Sequence, residues 1–73
     1  MTARLREILV DLLDLDRELA DTDGRHTVED WNSLAHVRIV HALETEFAVR
    51  LPDWVLTADR ITVAELAKLI ESA

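Results

Sequence analysis

Ser33 is the side chain whose position in this sequence most favours covalent chemistry. It opens the stretch SLAHVRIVHALETEF, which has no Gly or Pro and repeats its apolar residues with the period of a helix. Two interpretations of this serine are open. Asn32 or Ser33 could simply cap the helix by satisfying its free backbone N–H groups, which is common at such a position. Alternatively, the hydroxyl could be a handle for covalent modification, because the N-terminus of a helix favours a bound phosphate.

The histidines do not predict a catalytic or a metal site. His36 follows Ser33 by one turn, but a lone histidine near a serine is usually exposed, and no acid is evidently placed to complete a nucleophilic set. The spacing of His26, His36 and His41 is not that of metal ligands. We therefore expect all three to be exposed polar side chains.

Asp21, Asp23 and Gly24 fall at positions three, five and six of a calcium-binding loop. Position one is then Leu19, where the motif needs a carboxylate. An acidic, solvated loop is therefore the better interpretation, and no metal is expected there.

Length and charge exclude several classes of protein. The 73 residues predict one domain, 1–73, and the absence of cysteine removes disulfides and thiolate metal sites. The net charge of -7 argues against nucleic acid and favours partners with basic docking surfaces. The apolar runs are too short to span a membrane, and the N-terminus has no signal-peptide pattern. We expect a cytoplasmic monomer.

Hydrophobic periodicity predicts an all-α fold, a small bundle of three long helices and one short one. The first helix runs from its cap, Thr2, to about Asp16, with an inward face made of Leu5, Ile8, Leu9 and Leu12, widened by Val10, Leu13 and Leu15. A long polar connection, 17–32, follows and returns to the core through Leu19, Val28 and Trp31. The second helix runs from Ser33 to about Ala48, with an apolar stripe of Leu34, Val37, Val40, Leu43 and Phe47.

Pro52 favours an end to helical structure before it. Asp53 is then placed to cap a short helix from Trp54 to about Arg60. Trp54, like Trp31, is expected to be partly buried.

The last helix has the clearest local signature. Thr62 and Glu65 match a capping box, and Ile61 and Leu66 match the hydrophobic staple that often accompanies it. Its inward face is predicted to be Leu66, Leu69 and Ile70.

Taken together, these elements resemble the acyl carrier protein family over nearly the whole chain. The most specific part is Asn32-Ser33-Leu34, followed by Val37, Ile39, Val40, Ala42, Leu43, Glu44, Glu46 and Phe47, and then by Leu51-Pro52-Asp53. The start of the last helix, Ile61-Thr62-Val63-Ala64, also fits this pattern.

The resemblance implies that Ser33 carries 4′-phosphopantetheine, donated by coenzyme A through a phosphopantetheinyl transferase. The arm would hold acyl groups as thioesters for acyl-loading and acyl-processing enzymes, so the chain would be a shuttle and not an enzyme. Asn32, Leu34 and His36 would flank the arm. The partner-docking positions would be Asp30, Trp31, Arg38, His41 and Glu44.

The sequence departs from the family pattern at several positions. Asn32 stands where the family usually has Asp, and Ala35, His36, Arg38 and His41 occupy positions where acids are frequent. These departures favour a carrier of polyketide or related biosynthesis over a fatty-acid carrier. They also leave open a degenerate helical module that docks to a partner without an arm. A small enzyme is a third class, but no acid, base or metal set supports it.

Overall fold

The computed structural model describes residues 2–72 and contains four helices in that range, with no β-strand. They are α1 (Thr2–Leu13), α2 (Ser33–Phe47), α3 (Trp54–Thr57) and α4 (Val63–Ser72). The prediction of an all-α fold with three long helices and one short helix is confirmed. No helix within residues 2–72 is long and apolar enough to cross a membrane.

Helix α1 ends three residues before the predicted Asp16. Asp14 adopts a left-handed conformation, with φ 53°, and the N–H of Leu15 turns back to the Val10 carbonyl at 3.0 Å. This is a Schellman ending, in which the left-handed residue stops the helix. Thr2 is the first helical residue, and its side chain, which was predicted as the cap, lies outside what the structure describes.

The inward face of α1 also differs from the prediction at one position. Leu5, Leu9 and Leu13 are buried at a spacing of four, together with Ile8. Leu12 is 42% exposed, although it follows Leu5 by seven residues on the same helix face.

Helix α2 buries only part of the predicted stripe: Val40 and Leu43 are buried and Phe47 is half-buried. His36, Ile39, Val40 and Leu43 are buried, at the i, i+3, i+4 and i+7 positions of one helix face. Leu34 and Val37 were predicted to be core and are 65% and 51% exposed. The prediction failed because a histidine occupies the first position of the buried face.

The connection between α1 and α2 covers the core, as predicted. Leu19, Val28 and Trp31 are each less than 5% exposed and pack in one cluster with the buried residues of the helices. Helix α1 packs on α2 and α4, and α2 packs on α3.

Helix α3 is shorter than predicted and ends at Thr57 instead of Arg60, because Ala58 is extended. Asp53 has helical φ and ψ angles, and its side chain makes no capping hydrogen bond within residues 2–72. The turn begins at Pro52, whose carbonyl accepts the N–H of Val55 at 3.0 Å. The predicted Asp53 cap is therefore wrong.

The start of α4 is built as predicted and is also held by the α1–α2 connection. Thr62 Oγ1 accepts the Glu65 N–H at 3.2 Å, and Glu65 Oε1 accepts the Thr62 N–H at 3.2 Å. Gly24 forms an isolated bridge with Thr62, and a Cβ at Gly24 would overlap the Ile61 carbonyl oxygen. The predicted inward residues Leu66 and Ile70 are buried, while Leu69 is half-buried.

Candidate functional site

Asn32, and not Ser33, caps helix α2. Its backbone is extended, with φ -86° and ψ -176°, and its Oδ1 accepts the N–H of Ala35 at 2.9 Å. Its carbonyl accepts the N–H of His36 at 2.8 Å, the first hydrogen bond of the helix. Ser33 is the first helical residue, so its hydroxyl is not needed to start the helix.

Ser33 is exposed, and its closest polar neighbour comes from the α1–α2 connection. Arg25 Nη2 donates to Ser33 Oγ at 3.2 Å, while Arg25 Nη1 donates to the Ala58 carbonyl at 2.8 Å. The Arg25 side chain is only 13% exposed and lies 3.9 Å from Asp59. A guanidinium is thus fixed beside the hydroxyl by contacts on both sides of the site.

Sequence reasoning missed Arg25. It lies eight residues before Ser33 in a segment without periodicity, and no local pattern predicts that the connection folds back onto the start of α2. Its one sequence-level signal is its position beside Gly24, the residue that brings the connection close to α4.

His36 is fully buried and is not the exposed flanking residue that was predicted. Its Nδ1 accepts the indole N–H of Trp31 at 3.0 Å, so the remaining proton must be on Nε2, which lies 2.6 Å from the Val55 carbonyl. Burial lowers the pKa of His36, and the nearby Arg25 charge acts in the same direction, although the hydrogen bond to Val55 opposes it. The neutral imidazole therefore ties the α1–α2 connection, α2 and α3 together next to Ser33.

The residues predicted for docking separate into two groups. Asp30, Arg38 and His41 are exposed and available to a partner. Trp31 is 2% exposed and cannot dock, and Glu44 is half-buried, with Oε2 accepting the Leu51 N–H at 2.9 Å.

Trp54 also differs from its prediction. It is 53% exposed on α3 instead of being part of the core. Trp31 is therefore the indole that packs inside this helical domain.

The acidic loop is a structural element. Asp23 accepts hydrogen bonds from the Ala20 N–H at 2.8 Å and the Thr27 hydroxyl at 2.9 Å, and it pairs with Arg17. The backbone N–H of Ala20 makes the largest contribution to lowering the pKa of Asp23. These contacts fix the loop next to α4, because the Asp23 carbonyl also accepts the Val63 N–H at 2.9 Å.

The site therefore combines an exposed hydroxyl, a fixed guanidinium and the positive end of a helix. The N–H groups of Ser33 and Leu34 lie in the first turn and have no partner inside the helix. His36 cannot act as a base toward Ser33 in this arrangement, because both of its ring nitrogens are engaged elsewhere. The surroundings suit an anion attached to Ser33. No protein-family model matches the chain, and no curated protein or solved structure is significantly similar to it.

Proposed function

We propose that this chain is an acyl carrier protein. In this proposal a separate transferase attaches 4′-phosphopantetheine from coenzyme A to Ser33, and partner enzymes load and process the acyl group. The observation that carries the proposal is the division of roles at the start of α2. Asn32 supplies the cap, which leaves Ser33 exposed for modification.

The residues around Ser33 fit the phosphodiester that this modification would introduce. Arg25 is held 3.2 Å from the hydroxyl and could make a charge-assisted hydrogen bond to a phosphate oxygen. The free N–H groups at the start of α2 favour the same negative charge. When attached, the arm would supply the thiol that holds the acyl group as a thioester.

A carrier role, and not an enzymatic one, accords with the protonation and hydrogen bonding of His36. Both ring nitrogens are occupied by Trp31 and Val55, and burial lowers the pKa of the imidazole. His36, the side chain nearest in sequence that could activate Ser33, therefore makes structural hydrogen bonds instead. Polyketide or related biosynthesis is our preferred pathway class, because Arg38 and His41 replace acids on the exposed side of α2.

The direct test is to incubate the purified chain with coenzyme A and a broad-specificity phosphopantetheinyl transferase, and then to measure its intact mass. We expect a gain of one phosphopantetheinyl group, which should be lost in Ser33→Ala. Ser72→Ala is the matched control, since Ser72 is the other serine in the sequence, and it should gain the same mass. A protein that gains no mass with several transferases would contradict the proposal.

The alternative is a carrier-like module that docks to a partner without an arm. It is favoured by the neutral Asn32, which stands where the resemblance implies an acid. Ser33→Ala discriminates between the two functions, because it should abolish carriage of an acyl group but leave docking intact.

A further inference from the structure

Arg25 joins three segments of the chain at the edge of the Ser33 site. Its Nη2 donates to Ser33 Oγ on α2 at 3.2 Å, and its Nη1 donates to the Ala58 carbonyl at 2.8 Å. Ala58 is the first residue of the α3–α4 connection, residues 58–62. From its own place in the α1–α2 connection, the guanidinium therefore bridges the start of α2 and the α3–α4 connection.

The backbone next to Arg25 holds the guanidinium in place. Gly24, the preceding residue, forms a bridge with Thr62, and its carbonyl accepts the Val28 N–H at 3.0 Å. The Arg25 side chain itself is only 13% exposed. A negative charge added at Ser33 would therefore meet a guanidinium that is already positioned, so that binding it costs little conformational entropy.

A phosphate on Ser33 Oγ would be a stronger partner for Arg25 than the hydroxyl is. The present hydrogen bond joins a cation to a neutral group, and the ion pair with Asp59 spans 3.9 Å to a carboxylate that is 93% exposed. Hydrogen bonds between a guanidinium and phosphate oxygens are charge-assisted and about twice as strong as neutral ones. Because a guanidinium has five N–H donors in a planar fork, Arg25 can bind the phosphate and keep the Ala58 carbonyl.

We infer that Arg25 couples a phosphate on Ser33 to the α3–α4 connection. Negative charge on Oγ strengthens the hydrogen bond of Nη2, while Nη1 of the same side chain holds Ala58. Modification of Ser33 thereby changes the surroundings of the α3–α4 connection, which gives partner enzymes a second place, besides the arm, at which to distinguish the modified protein. The inference rests on the proposed function for the source of the phosphate, but the contact itself needs no transferase.

The test places phosphoserine at position 33 when the chain is synthesised and follows its phosphate by phosphorus NMR as the pH is changed. The second ionisation of an ordinary phosphoserine has its midpoint at about pH 6. We expect this midpoint to be lower by about 1 pH unit with Arg25 than in the Arg25→Gln variant, because the guanidinium stabilises the dianion. The backbone amide signals of Ala58 and Asp59 should move with the same midpoint, and they should not do so in Arg25→Gln.

Two controls isolate the role of Arg25. Arg50→Gln removes the same charge from an exposed residue that is separated from Ser33 by the whole of α2, about 20 Å, and it should leave the midpoint unchanged. The chain with unmodified Ser33 is titrated over the same range, so that amide shifts caused by protonation of the nearby His36 are recognised and subtracted.

Arg25→Lys separates the charge from the geometry of the side chain. Lysine keeps the charge but has no planar fork, so this variant should retain part of the lower midpoint and lose the response of Ala58 and Asp59. It also keeps the inference testable if Arg25→Gln fails to fold, which the dispersion of the amide signals of each variant reports.

Three outcomes would overturn the inference. They are equal midpoints in the original chain and in Arg25→Gln, amide signals of Ala58 and Asp59 that do not follow the phosphate, and a full response of both signals in Arg25→Lys. None of these measurements uses coenzyme A or a transferase. Their failure is therefore distinguishable from failure of Ser33 to accept an arm, which the intact mass reports.

Discussion

At the scale of single residues, two side chains at the start of α2 have different roles: Asn32 caps the helix, and Ser33 is exposed. The Asn32 amide accepts the Ala35 N–H, whereas the Ser33 hydroxyl contacts Arg25 and leaves the first-turn N–H groups to other partners. A change at Ser33 can therefore test covalent modification without removing the cap. This separation makes Ser33→Ala an informative variant.

We predict that substitutions of Asn32 and Ser33 differ in their effect on the free energy of unfolding. Asn32→Ala should lower the free energy of unfolding by about 1 kcal/mol, the usual cost of losing an N-cap. Ser33→Ala should change it by less than about 0.5 kcal/mol, as expected for an exposed helical position. Urea unfolding followed by circular dichroism measures both values. An equal loss in Ser33→Ala would show that the serine, and not the asparagine, caps the helix.

At the scale of secondary-structure elements, α1 and α2 both end at a residue in the left-handed conformation. Asp14 and Ala48 each have φ 53°, and neither is glycine. Ala48 is the more strained of the two, because it has no short polar side chain to hydrogen-bond locally in this conformation.

We predict that Ala48→Gly raises the free energy of unfolding by about 1 kcal/mol, because glycine adopts this conformation without the Cβ penalty. Ala64→Gly, at an exposed position in α4, is the control and should lower stability by up to about 1 kcal/mol. Chemical unfolding of both variants checks the two signs. A loss of stability in Ala48→Gly would contradict the strain argument.

At the scale of the whole molecule, one buried imidazole joins three separate parts of the chain. His36 on α2 bonds to Trp31 of the connection and to the Val55 carbonyl of α3. A proton on Nδ1 would face the indole N–H that this nitrogen now accepts. The folded chain therefore favours neutral His36, and acid should weaken all three attachments together.

We predict a loss of stability as the pH falls from about 6.5, the ordinary pKa of His36, towards the lower pKa that it has in the fold. In this window the unfolded chain binds the proton more readily, so the contribution of His36 to stability is fully present above about pH 6.5 and is lost as the pH falls through the window. Thermal melts between about pH 7.5 and about pH 5 measure the slope, before most carboxylates titrate.

His36→Gln removes the titration and should flatten this slope, although it should also lower stability at every pH. His41→Gln is the matched control, because His41 is exposed, and it should keep the slope of the original chain. An unchanged slope in His36→Gln would assign the pH dependence to other groups.

Features that depend on neighbouring residues were predictable from the sequence. The Thr62–Glu65 capping box and the start of α2 at Ser33 each follow from short-range chemistry or periodicity. The Asn32–Ser33 pair was also identified, but which of the two caps the helix was left open.

Tertiary packing decided the rest. The sequence predicts that His36 is polar and exposed. Its burial depends on Trp31 and the Val55 carbonyl, which the fold brings to its two ring nitrogens. Because His36 occupies the buried face, Leu34 and Val37 lie on the exposed side of α2. Arg25 likewise reaches Ser33 only because its connection is held against α4. Capping and helix periodicity act within a few residues and can be predicted from local sequence. Buried polar bonds and exposed apolar faces depend on side chains far apart in the chain, so only the folded arrangement specifies them.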